Sequence, residues 1–254
     1  MLRRMFQGLR RHPFAVEAHF AWSLVLTYAV PAAVLGPLLG PGLQLDTFGE
    51  WGFLAIALVQ TEQLRPRGMP ALLGRNFFLS GYRVFARFAR PAKHSLRGLH
   101  ILRSDTDKAS MVTLGNFFTH YRYRQARVVI SKSADRLELD VATPNREADL
   151  HVVADLGSRP AAPPTGSPFG TLKEARRFAG PLPYTFSYDE LTNKMVVVRG
   201  LRKAWDPRPV NVTVTLATYL EFAPFAAAGA RLANAFFVER VPYAWKAGTL
   251  EALE

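Results

Sequence analysis

No cysteine occurs among the 254 residues. A disulfide framework, a Cys-ligated zinc or iron–sulfur centre and a thiol nucleophile are therefore excluded from this chain, and the absence fits a reducing, cytoplasmic setting. Histidine is scarce, with six copies and no His-x-x-x-His or comparable ligand spacing, so no metal site is expected. Neither a GxGxxG turn nor a Walker loop is present, and no cofactor is expected. No internal repeat or linker is visible; the Pro/Ala/Gly-rich run from Arg159 to Gly170 reads as a loop within a domain. Acidic residues are missing from Gln63 to Ser104, a stretch that carries nine Lys and Arg, and charge of either sign is missing from His19 to Leu45.

What is present bounds the function classes. The net charge is +12, which can track phosphates or an acidic surface. The arginines, however, sit inside alternating apolar sequence, as in Tyr82-Arg83-Val84-Phe85-Ala86-Arg87-Phe88. That placement argues against nucleic acid and leaves a solvated basic face or an anion-binding pocket. At the N-terminus, Arg3, Arg4, Arg10 and Arg11 precede the uncharged run in the outline of a signal anchor. Pro31, Gly36-Pro37 and Gly40-Pro41-Gly42 interrupt that run, leaving a helix expected over Pro13 to Val30. This is shorter than the roughly 20 residues of a membrane span and suits a buried helix better. Residues 1–12 then form a basic tail and 13–254 one domain, with peripheral association at an anionic membrane surface as the alternative.

Beyond the first helix the pattern is that of short strands. Trp51–Gln60, Phe77–Ala89, Leu99–Leu102, Arg127–Ser131, Arg136–Ala142 and Ala148–Val153 are candidates, followed by Tyr184–Tyr188, Met195–Gly200, Val210–Ala217 and Arg231–Val241. Such spacing predicts a mainly antiparallel sheet that closes on itself or packs in two layers. Two further helices are expected, over Thr106–Gly115 with Ser104 or Asp105 as cap, and over Thr171–Ala179 ended by Gly180-Pro181.

The order of Phe20, Trp22 and Leu24, then Pro31, Gly42-Leu43-Gln44-Leu45-Asp46-Thr47-Phe48 and Leu64-Arg65-Pro66 resembles the opening of the bacterial YqjF-like proteins. These are a family of unknown function in the acetoacetate-decarboxylase-like superfamily. The similarity continues through Tyr82-Arg83-Val84-Phe85, Tyr121–Arg127 and Ser167-Pro168-Phe169 to Pro183. The resemblance implies an α+β, mainly β fold: a closed antiparallel cone or barrel around an apolar cavity, with an N-terminal helix and short peripheral helices.

In the decarboxylase of that superfamily, a lysine with a lowered pKa forms a Schiff base with a keto acid. Its lysine pair stands in a segment of the form Gly-Phe-Pro-Lys-Lys-Leu-Ala; matching the alanine to Ala126 puts Tyr123 and Arg124 in place of the lysines. The relatives' acidic residue before the Arg-x-aromatic strand is also missing, with Leu79 or Ser80 there. Arginine does not deprotonate at useful pH and tyrosine forms no imine, so imine chemistry is excluded at this position. Lys203, beside Arg202 and Trp205, reads as solvent-facing. What remains is a pocket for a small carboxylate, with Arg83, Phe85, Tyr121, Tyr123 and Arg124 as candidate ligand-binding residues and no assignable catalytic residue. On a strand, Arg83, Phe85 and Arg87 share one face, as do Tyr121, Tyr123 and Arg127. The competing reading pairs these arginines with carboxylates such as Glu138 or Glu221 and makes them braces. Oligomeric state is not legible.

Overall fold

The computed structural model describes residues 8–90, 93–180, 182–203 and 205–253; Arg3, Arg4 and Pro181, named above, lie outside them. Seven strands form a ring. They are β1 (Val16–Pro31), β3 (Trp51–Pro66), β4 (Arg75–Arg90), β5 (Lys93–Thr106), β10 (Tyr184–Asp189), β11 (Lys194–Arg202) and β14 (Arg231–Trp245). Their order is β14-β1-β3-β4-β5-β10-β11, and β11 returns to β14 through the pairs Gly200↔Trp245 to Arg202↔Tyr243. Four short strands attach to the ring: β2 (Leu43–Leu45), β6 (Tyr123–Gln125), β12 (Arg208–Pro209) and β15 (Thr249–Ala252). A second sheet has the order β13-β9-β8-β7, from β7 (Arg127–Lys132), β8 (Arg136–Ala142), β9 (Leu150–Asp155) and β13 (Asn211–Ala217). The expected antiparallel sheet has two parallel pairings, β5 with β10 and β5 with β6. Long excursions through a helix and through the second sheet bring the chain back to the same end, as a parallel pairing requires.

The helix expected over Pro13–Val30 is a strand. β1 runs between β14 and β3 with hydrogen bonds to both. Its even-numbered residues Trp22, Leu24, Leu26 and Tyr28 join the main core, while Ser23 and Val25 turn into the ring. A strand buried on both faces is apolar at nearly every position, so its pattern cannot be told from that of a buried helix. At the end of the expected basic tail His12 is buried, its amide donates to Phe118 O at 2.9 Å, and its carbonyl accepts from Gly248 N at 2.8 Å. No helix among the described residues is long and apolar enough to cross a membrane.

One turn of helix, α1 (Ala32–Leu35), follows β1. The next, α2 (Ala109–Phe118), begins later than expected because Ser104 and Asp105 are taken up by β5. Asp107 accepts from Phe78 N at 2.8 Å. The last, α3 (Leu172–Phe178), starts one residue later than expected because Thr171 caps it: Thr171 Oγ1 accepts from Glu174 N at 3.1 Å, and Glu174 Oε2 accepts from Gly170 N at 2.8 Å.

The main core lies outside the ring, between its wall and the four-stranded sheet. Leu24, Leu26, Leu54, Ile56, Leu58, Tyr82 and Val84 meet Leu137, Leu139, Leu150 and Val152 there. Alternation sends the intervening residues inward, and these are small on β3: Ala55, Ala57 and Val59. Large residues outside and small ones inside leave the ring hollow.

Candidate functional site

The hollow is a cavity of about 440 Å³, within the range of small-molecule sites. One end is sealed by aromatic rings: Phe53 stacks on Phe169 at 5.2 Å between centroids and meets Phe178 at 5.0 Å and Phe85 at 5.7 Å, with α3 behind them. At the other end Phe14, Met69, Leu73 and Arg75 line the cavity and are exposed, so this end is the mouth.

Most of the lining is apolar, and the polar side chains gather in one group. Arg83 from β4, Tyr121 and Tyr123 from the segment after α2, Arg202 from β11, Trp205 after it and Tyr243 from β14 all line the cavity. Arg83 makes no ion pair or hydrogen bond among the described residues, and its Nε is buried without a partner. Its guanidinium keeps some contact with the cavity space but is enclosed by protein. Burial pushes its pKa down, the Tyr243, Tyr123 and Tyr121 hydroxyls oppose this, and Arg202 adds a like charge. Arg202 is likewise lowered by burial; it lies over the rings of Trp205 at 4.7 Å and Tyr243 at 5.4 Å, and donates to Leu182 O at 3.2 Å. Among the described residues no carboxylate lines the cavity; of the four arginines that do, Arg65 pairs with Glu17 and Arg75 is exposed at the mouth, which leaves the enclosed Arg83 and Arg202 without an acidic partner.

The tyrosines are donors. Burial raises Tyr121 above the usual phenol range, and it raises Tyr123 to about 12, against the pull of Arg83. Both therefore keep their protons at neutral pH. The Tyr121 hydroxyl is buried and unpaired; Thr185 stands beside it without completing a hydrogen bond. Trp205 Nε1 is a further buried donor without a partner. A native interior pairs nearly all its buried polar groups, and three donors in this cavity, Arg83 Nε, the Tyr121 hydroxyl and Trp205 Nε1, have no partner among the described residues.

Backbone features hold the group in position. The Asn116 side chain of α2 brackets residue 123, with Nδ2 donating to Tyr123 O and Oδ1 accepting from Tyr123 N, both at 2.8 Å. Tyr121 N donates to Thr119 Oγ1 at 3.2 Å. Two glycines make room where a methyl would intrude: a Cβ at Gly81 would stand 2.9 Å from Arg83 Nε, and one at Gly115 would enter the Tyr123 ring.

Of the residues singled out by sequence, Arg83, Phe85, Tyr121 and Tyr123 are brought together at the cavity, and Arg124 is not. Arg124 follows Tyr123 on β6 and points to the opposite face, where it is exposed and pairs with Glu147. Arg127 is exposed as well, because Ala126 N bonds Thr106 O and the chain then leaves the ring for the second sheet. Arg87 is a brace, as the competing reading had it, although its partner is Asp46 at 2.7 Å. Asp46 is fully buried and also receives Arg97. Sequence reasoning missed Arg202, Tyr243 and Asn116. Their only signal was an Arg three residues before a Trp and a polar residue on an apolar helix.

The family model described as "Uncharacterized conserved protein", DUF2071, matches residues 18–242. The chain belongs to the DUF2071 family. No curated protein matches this DUF2071 chain. Among solved structures it is similar to acetoacetate decarboxylase from Legionella pneumophila subsp. pneumophila str. Philadelphia 1, with TM-score 0.63 and 11% identity over 94% of this chain and 88% of that one. It is also similar to an acetoacetate decarboxylase-like enzyme from Sphingomonas wittichii RW1, with TM-score 0.61 and 13% identity over 97% and 94%. The enduracididine biosynthesis enzyme MppR complexed with pyruvate aligns with TM-score 0.61 and 11% identity over 94% and 90%. At these identities the likeness establishes the fold: this DUF2071 member is a mainly β, acetoacetate-decarboxylase-like ring.

In this DUF2071 member no described residue lining the cavity is a lysine. No cluster of three or more His, Asp or Glu among the described residues could hold a metal ion.

Proposed function

We propose that this protein binds a small organic anion, a carboxylate, in the ring cavity, with Arg83 and Arg202 as the charged clamp and Tyr121 and Tyr123 as neutral donors. The observation that carries this reading is Arg83: an enclosed guanidinium with no acidic partner and an unpaired Nε. A buried, unneutralised cation costs stability, and a bound carboxylate would remove that cost through hydrogen bonds of about 1.5–3 kcal/mol each. Phe85 and the aliphatic wall would cover the ligand's body. Pyruvate in the MppR structure is a small carboxylate held in the same fold, which supports the class of ligand. Lysine-imine chemistry is absent from the proposal, because Tyr123 occupies the expected position. We assign the activity to the cytoplasm and to small molecules, without a nucleic-acid partner. The apolar segment of β1 is consumed by the core, which removes the motive for membrane attachment through it.

A thermal-shift screen of short carboxylates and 2-keto or 3-keto acids tests the proposal. A ligand at one hundred times its Kd adds about 2.7 kcal/mol of stability. Arg83→Met should abolish the shift. If no acid stabilises the wild type, or the variant responds equally, the clamp is wrong. Borohydride treatment with pyruvate or acetoacetate should leave the protein mass unchanged; a mass adduct would restore the imine mechanism.

A further inference from the structure

The β4 wall of the cavity is one uninterrupted strand face. Arg75, Phe77, Leu79, Arg83 and Phe85 all line it, with Gly81 the missing side chain of the series. At about 3.3 Å per residue, the path from Arg75 to Arg83 covers roughly 26 Å. On the adjacent strand β3 the register partners Ala55, Ala57, Val59 and Thr61 extend the same wall beside Arg83, Gly81, Leu79 and Phe77. No charged side chain interrupts either face between the guanidinium and the mouth.

The mouth carries Arg65, which pairs with Glu17, and exposed Arg75, and between them an apolar lip. Met69 and Leu73 line the cavity while remaining 40% and 59% exposed, and Leu72 beside them is 93% exposed. Isolated exposed hydrophobics are ordinary, but these stand together where an apolar groove meets solvent. At about 440 Å³ the cavity is larger than a three- or four-carbon acid fills.

Resting on the anion-pocket reading above, we propose that the ligand is an amphipathic acid, a carboxylate carried on an extended unbranched alkyl chain. Its head lies on Arg83 and Arg202, and its chain runs along the wall that Leu79 and Val59 share to the Met69–Leu73 lip. A short keto acid would satisfy the guanidinium and leave this groove wet. A polar dianion would satisfy it and leave a second charge against aliphatic walls.

Calorimetric titration of the full chain with straight-chain carboxylates from acetate to tetradecanoate, below their micellar concentrations, tests the proposal, with the matching primary alcohols alongside. Affinity should rise about fourfold per added methylene over the middle of the series and level off once the chain reaches the lip. Alcohols should bind at least tenfold more weakly than acids of equal length. Leu79→Trp, which obstructs the groove, should spare the short acids and weaken the long ones; if that variant does not fold, the wild-type series decides. Short acids that bind with no gain from chain length would overturn the alkyl-chain assignment and leave the anion pocket standing. Failure of every acid would overturn both, and alcohols as tight as acids would overturn the placement of the head group.

Discussion

Arg83 and Arg103 stand on neighbouring strands, β4 and β5, both deep in the protein, and differ in what surrounds their charge. Arg103 donates from Nε to both oxygens of Asp105, at 2.9 and 2.8 Å, and from Nη1 to Glu147 at 2.6 Å. Burial pushes its pKa down, but the hydrogen bonds and charges of Asp105 and Glu147 outweigh this, and the net shift is upward. Arg83 has no such partner and shifts downward. A register shift opposite Tyr82 and Arg83 separates the two environments. Leu99 and Ile101 face the cavity, the extra residue reverses the alternation, and Ser104 faces inward while Arg103 turns to the acidic pair. One arginine is neutralised by its neighbours; the other has no acidic partner among the described residues.

The largest effect expected from this contrast is at the paired site. Asp105→Ala leaves Arg103 buried beside a single, half-exposed carboxylate and should cost about 3–5 kcal/mol in urea unfolding. A cost equal to that of Arg83→Met would break the comparison. Gly115→Ala comes next, because its methyl enters the space of the Tyr123 ring. About 1–3 kcal/mol of overpacking is expected, together with loss of carboxylate binding; retained binding would show that Tyr123 need not stay in place.

The pH response is smaller. Burial lowers the pKa of His12, His100 and His120, so the unfolded chain binds more protons than the folded one below about pH 6.5. Stability should be full above that pH and fall as the pH drops through it, read as a declining Tm. A flat profile from pH 7 to 5 would contradict the neutral state of these histidines. The smallest effect on stability belongs to Arg83→Met, which should leave the ligand-free protein equally stable or slightly more so while removing its response to carboxylates. A large loss of stability would make Arg83 a structural residue like Arg103.

Several parts of this arrangement were legible before the fold was known. Arg83 and Phe85 share a strand face by alternation alone, and the short helix near Thr171–Ala179 is legible from its local sequence. Opposite faces for Tyr123 and Arg124 follow from the same rule, which the matched lysine pair obscured. The helix expected at Pro13–Val30 failed because burial on both faces erases periodicity. Arg202 and Tyr243 could not be found from the chain. They reach the cavity through the short β11–β14 pairing that closes the ring, between segments far apart in sequence. Asn116 sits on a helix whose other polar residues have no such role, and only the approach of Tyr123 gives it one.

By itself the sequence determined the strand-rich class and the absence of cysteine, and with it of thiol chemistry from this chain. These depend on residue identity and local periodicity, which one chain carries in full. The tertiary structure decided which arginine is neutralised and which is not. Asp46, Asp105 and Glu147 are the acids that come within reach of Arg87, Arg103 and Arg124, and none reaches Arg83. Electrostatic pairing depends on distance through space, and that distance is fixed only when the ring closes.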